Sequence, residues 1–170
     1  GFASISQSGL TNGSKLLASM LMIIGGSPAG TAGGIKTTTV AVLLLTAISV
    51  LRGNKDTECY GRKITFEIIR VGITITLVTF VFWLFGVTVM TVIEPQQKVL
   101  DLMFEATSAM ATVGLTVDLT PVLSDISHVV LMLMMYIGRI GPMTMALIFS
   151  GHVDKKNQFR TLPEAKIMVG

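Results

Sequence analysis

Between Leu16 and Leu51 the chain carries one charge, Lys36, and the middle of that stretch reads Gly25-Gly26-Ser27-Pro28-Ala29-Gly30-Thr31-Ala32-Gly33-Gly34. Fully helical, the stretch would run about 54 Å, whereas a bilayer core is about 30 Å thick and takes about 20 residues to cross. It is too long for one straight crossing and too short for two crossings with a turn. Each glycine costs a helix about 1 kcal/mol and a proline about 3 kcal/mol, so the centre cannot stay helical. The sequence predicts one crossing broken in its middle: a helix from Lys15 to Ile24, an irregular loop over 25–34, and a helix from Thr37 to Leu51. Irregular backbone at membrane depth persists only where protein or water satisfies its polar groups, so this loop lines a cavity. Gly26, Gly30 and Gly34 also stand at the small-xxx-small spacing of a helix-packing seam. Pro28 and the paired glycines weigh against that intact helix. A nucleotide P-loop is excluded, because Ile35 separates Gly34 from Lys36 and no strand precedes.

Composition supports a bilayer setting. Of 170 residues, 51% are hydrophobic and 14% charged, where a soluble domain carries about 25% charged residues. The single cysteine, Cys59, permits neither an intrachain disulfide nor a cysteine-based metal site. The chain opens Gly1-Phe2-Ala3, without initiator Met or signal peptide, and reads as a piece of something longer. Val71 to Ile93 is uncharged and long enough to cross, with Ile64 to Arg70 extending it as helix. A third crossing is expected from Ile126 to Ser150, with Arg139 as its one deep charge. Between these, Val99, Leu100, Leu102, Met103 and Phe104 make an apolar run too short to span. A half-length helix that enters the membrane and returns through an extended segment fits it.

Charge placement gives the expected orientation. Net charge is +3, and basic residues gather in the loop Arg52 to Lys63 and in the tail Asp154 to Lys166. Two crossings separate these segments, so they share a side, which the positive-inside rule makes the cytoplasm. The other side carries Glu94, Asp101, Glu105, Asp118 and Asp125 against Lys98, an acidic face that would concentrate cations. Lys15 is expected to snorkel outward. No stacking aromatics accompany the basic segments, so nucleic acid is not an expected partner. No Ser/His/Asp or Cys/His set has catalytic logic, so no enzyme is expected.

The half-length helix leads into Ala111-Thr112-Val113-Gly114-Leu115-Thr116. A cation that sheds water inside a membrane needs replacement oxygens, and rows of backbone carbonyls supply them. An extended segment presents consecutive carbonyls in one direction only if some residue tolerates unusual φ, and Gly114 does. Thr112 would add a hydroxyl at the inner end, with Asp101 and Glu105 near the outer mouth. The plain alternative is a surface turn after a short helix. Arg139 lies in Gly138-Arg139-Ile140-Gly141-Pro142, near mid-membrane, where an arginine costs about 2.5–3.5 kcal/mol on insertion scales. Carbonyls of the 25–34 loop are the best available acceptors for its five donors. Two roles stand open for it, a gate element and a purely structural tether. Lys36 is either structural or gate-associated.

The string from Ile24 to Thr39 closely resembles the broken second helix of the third repeat in Ktr-type potassium uptake subunits of the Trk/Ktr/HKT superfamily. Residues 111–116 look like that family's fourth filter, and Gly138 to Pro142 like part of its last span. The resemblance implies an all-α membrane protein built of four M1–pore-loop–M2 repeats around one pore. On that pattern residues 1–52 end the third repeat, and 53–63 form a cytoplasmic loop. The fourth repeat follows over 64–150, with M1 at 64–93, pore helix at 97–110, filter at 111–116 and M2 at 122–150. Residues 151–170 form a cytoplasmic tail. Gly1-Phe2 looks like the remnant of a third filter, usually Thr-Ala-Gly-Phe. The implied potassium filter comprises Ala111, Thr112, Val113, Gly114, Leu115 and Gly1. The implied gate comprises Gly25, Gly26, Ser27, Pro28, Ala29, Gly30, Thr31, Ala32, Gly33, Gly34, Lys36 and Arg139. The resemblance further implies a multi-pass protein of the cell membrane that takes up potassium, with sodium as coupling or activating ion. Its implied partners are membrane lipid, the remaining repeats, a second copy in a homodimer, and a cytosolic nucleotide-binding regulatory ring. The alternatives are a secondary solute transporter with a discontinuous helix at its substrate site, and a non-transporting membrane scaffold.

Overall fold

The computed structural model describes residues 1–28, 30, 32–54 and 56–141. Ala29, Thr31, Lys55, the expected crossing beyond Gly141 and the tail 151–170 lie outside the described residues. Five α-helices are seen among the described residues: α1 Asn12–Ile23, α2 Thr37–Leu51, α3 Phe66–Ile93, α4 Val99–Met110 and α5 Asp125–Ile140. One of them, α3, is long and apolar enough to cross a membrane; α2 is apolar but shorter.

The helix boundaries follow local chemistry. α1 starts at Asn12 because the Thr11 hydroxyl accepts the Ser14 amide at 3.3 Å. It ends at Ile23 because Ile24 pairs with Ile35 as a parallel bridge. α3 starts at Phe66, two residues after the expected Ile64, whose amide donates to the Thr57 carbonyl at 2.8 Å. α5 begins at Asp125, after a 3-10 turn over Thr120–Val122 that contains Pro121. The loop between α2 and α3 holds a hairpin that charge reading alone does not anticipate. β1 Glu58–Cys59 pairs antiparallel with β2 Arg62–Lys63 through Tyr60 and Gly61, both at positive φ.

α4 sits at the centre, packed by α1, α3 and α5. Leu102, Phe104, Ala106 and Thr107 are wholly buried on it. The Trp83 indole of α3 donates to Thr107 Oγ1 at 2.9 Å, and Thr107 in turn donates to the Met103 carbonyl. α5 crosses α4 at Gly138, so closely that a side-chain carbon there would lie 1.8 Å from the Met110 carbonyl oxygen. The far side of α3 is open, with Leu77, Phe80, Val81, Leu84 and Phe85 exposed. Such a face suits hydrocarbon and not water.

Glu94 ties the end of α3 to the start of α5. Its Oε1 accepts the Ser124 amide and the Ser127 hydroxyl, each at 2.8 Å. The Ser124 side chain and amide, then the Ser127 hydroxyl, hold its pKa below the ordinary 4.5. A depressed carboxylate stabilises fully above its unfolded pKa, and that contribution is lost as pH falls through the lower folded value. The protection of the Ser124 amide, its exchange rate relative to an unfolded chain at the same pH, should therefore hold as pH falls to about 4.5 and drop only below it. In Glu94→Gln that protection should be lower at neutral pH and flat across that window.

Candidate functional site

The irregular backbone between α1 and α2 is a loop doubled back on itself. Gly25 N–H donates to the Ile35 carbonyl at 2.7 Å, Ile35 N–H to the Ile23 carbonyl at 3.1 Å, and Thr37 N–H to the Gly26 carbonyl at 3.3 Å. The two limbs touch so tightly that a side-chain carbon on Gly25 would lie 2.0 Å from the Gly33 carbonyl oxygen. Ser27, Pro28 and Gly30 are exposed near its tip. Lys36 folds onto the loop, its ammonium donating to the Ala32 carbonyl at 2.6 Å and the Gly30 carbonyl at 3.4 Å. It thus takes two carbonyls of the very loop it ends.

The second part follows α4. Ala111 closes the helix, Thr112 turns to φ 53°, and Gly114 adopts φ 85°. The Thr112 and Val113 amides bond back to the Ala109 and Ser108 carbonyls at 3.0 and 2.9 Å. Among the described residues, no backbone N–H donates to the carbonyls of residues 112–116. Glu105 holds the far end of this segment, beyond Gly114. It is buried within α4, and its Oε1 accepts the Thr116 hydroxyl and, at 3.0 Å, the Val117 amide. Its Oε2 accepts the Thr120 hydroxyl at 3.0 Å.

Three regions distant in sequence converge here. Gly1 lies against Gly114: a side-chain carbon on Gly1 would sit 2.7 Å from the Gly114 carbonyl oxygen, and one on Gly114 3.3 Å from Gly1 Cα. Farther along, Ser6 donates to Asp118 Oδ2 at 2.7 Å. The Ser6 and Ser8 hydroxyls lower the Asp118 pKa. The Gly33 amide of the doubled-back loop donates to Thr112 Oγ1 at 2.8 Å. Arg139, in the last turn of α5, lines a cavity of about 760 Å³ together with Thr112, Gly114, Leu115 and Tyr136.

Two charge expectations need correction. Lys15 does not snorkel outward. It is 8% exposed, and its ammonium meets Asp101 Oδ1 at 2.7 Å, joining α1 to the first turn of α4. The outer acidic face is correspondingly weaker: Asp101 is neutralised by Lys15, and Glu105 is turned inward onto residues 116–120. Both are pairings across the fold that no local spacing announces. The i,i+4 relation of Asp101 and Glu105 marks one helix face but not the partner each finds.

An apolar crossing helix, a half-length helix and irregular backbone meeting at its end are the parts of polytopic membrane transport proteins. Comparison with known proteins agrees. Residues 1–160 match the TrkH family, described as cation transport proteins. Ktr system potassium uptake protein B of Bacillus subtilis (strain 168) is 35% identical over 170 residues, all of this chain and 37% of the relative. Potassium/sodium uptake protein NtpJ of Enterococcus hirae is 34% identical over 173 residues, all of this chain and 38% of the relative. Ktr system potassium uptake protein B of Vibrio alginolyticus is 32% identical over 150 residues, 88% of this chain and 33% of the relative. The chain belongs to the TrkH family of Trk/Ktr-type cation transporters, which are membrane proteins. It spans a little over a third of the length of the first two of these relatives. All three are named as uptake proteins and none as an enzyme.

Proposed function

We propose that the chain forms one side of a potassium-uptake path, with residues 111–116 and Gly1 contributing to a filter of backbone carbonyls. The observation that carries this reading is the packing of Gly1 against Gly114, two glycines on different sides of α1–α4 in the chain. In a repeat architecture, filter segments of successive units must approach around a common axis, and Gly1 heads the segment preceding α1. Carbonyl oxygens not taken by backbone amides are free to replace an alkali ion's hydration shell. The doubled-back loop 25–34 with Lys36 lies beneath as a gate, and Arg139 governs its passage state. The remaining repeats of the same subunit complete the filter. Sodium acts as coupling or activating ion. The subunit works as a homodimer over a cytosolic nucleotide-binding ring, with the C-terminus cytoplasmic.

Rubidium uptake by the full-length subunit in liposomes tests this. Potassium should compete, and Arg139→Ala should change the uptake rate. Uptake of an organic solute by counterflow, with no rubidium flux, would favour a solute transporter built around the discontinuous helix. Absence of any flux would leave a scaffold.

A further inference from the structure

We infer that Gly33 is a positioning residue for the selectivity of the 111–116 segment: its amide fixes the Thr112 side chain, so the doubled-back loop helps decide which cation passes. This rests on the filter reading above. Thr112 is β-branched yet sits at φ 53°, a conformation that persists only where its surroundings over-determine it. The paired bonds from the Thr112 and Val113 amides to the Ala109 and Ser108 carbonyls set that φ at the end of α4, and the loop adds the contact that fixes the side chain. The buried Gly33 donates its N–H to Thr112 Oγ1 at 2.8 Å, across 79 residues of sequence. A β-branched residue is stiff at χ1, so anchoring Oγ1 fixes the rotamer and, through it, the aim of the Thr112 carbonyl.

Gly33 is itself held. The Gly25 limb packs against its carbonyl, and the bond from the Gly25 amide to the Ile35 carbonyl locks the limbs together. Any displacement of the loop therefore moves the group that anchors Thr112. The contact is also too tight for a side chain. A methyl on Gly33 would lie 2.7 Å from Thr112 Oγ1, 2.9 Å from Thr112 Cγ2 and 3.1 Å from the Ala111 carbonyl oxygen. The φ of Gly33 is outside the left-handed region, so what alanine would strain there is this crowding and not the φ of the loop.

The test is the ratio of potassium to sodium uptake by the full-length subunit in liposomes. Gly33→Ala should shift that ratio about fivefold or more, the scale of coupling between linked sites. Thr112→Ser, which keeps the acceptor, should hold the ratio near the wild-type value. Thr112→Val, which keeps the shape and loses the acceptor, should shift it. A Gly33→Ala subunit that does not insert is replaced by Gly33→Ala/Thr112→Ala, where both crowded atoms are gone. Its ratio should equal that of Thr112→Ala alone. Gly33→Ala that slows potassium and sodium equally overturns the inference and leaves the loop a gate with no hold on selectivity. A wild-type subunit that passes no alkali ion overturns the filter reading itself.

Discussion

Glu105→Ala should abolish potassium-selective uptake and destabilise the subunit by about 3 kcal/mol, whereas Glu105→Gln should retain most of both. Glu105 is buried, and its carboxylate accepts from Thr116, Val117 and Thr120 together. Alanine strands all three donors, at about 1–3 kcal/mol for each that water cannot reach. It also releases the far end of the segment that contains Gly114. Glutamine keeps the shared Oε1 for Thr116 and Val117, and its amide nitrogen can donate to the Thr120 hydroxyl. Thermal unfolding and the rubidium uptake assay read the two effects. Glutamine behaving like alanine would mean that the negative charge matters, and not the bracing.

Gly138→Ala should cost about 3 kcal/mol and prevent α5 from seating, as expected for overpacking against a rigid neighbour. The added carbon would lie 1.8 Å from the Met110 carbonyl oxygen and 2.8 Å from its carbon, so the obstacle is backbone and cannot rotate away. The intrinsic helix gain of about 1 kcal/mol for alanine over glycine is too small to offset this. Gly13→Ala, in the first turn of α1 with nothing within 4 Å of the new carbon, is the control and should be neutral or mildly stabilising. Comparing the unfolding midpoints of the two variants checks the claim. Equal midpoints would mean that α4 and α5 do not cross where they are drawn.

Much of the helical plan was legible in the sequence because glycine, proline and charge mark chain breaks locally. The loop between α1 and α2, and the half-length α4 followed by residues 111–116, follow from such marks. Gly114 was legible for the same reason, since a positive φ asks for glycine. Thr112 was not: a β-branched residue closes α4 at φ 53°, and its side chain is held by the Gly33 amide from 79 residues away. Lys15 was misread because snorkelling is the default for a lysine near a helix end, and only the fold places Asp101 opposite it. Glu105 was read as a mouth charge because helix periodicity gives its face but not its three partners. The hairpin at Glu58–Lys63 was hidden by the basic residues around it, which carry a topology signal that says nothing about strand pairing.

Among the described backbone bonds between Ile23 and Thr37, those from Gly25 to Ile35 and from Gly30 to Ser27 lie within the loop. A segment that carries its own hydrogen bonds travels without melting. Swinging about Ile24 and Lys36, the loop would leave the ladders of α1 and α2 intact and keep the bond from Gly25 to Ile35, giving up those from Ile35 to Ile23 and from Thr37 to Gly26. It would also give up the bond from Gly33 to Thr112, and each such bond is worth about 1 kcal/mol net. Conduction should accordingly have a shallow temperature dependence, that of a hinge and not of an unfolding step.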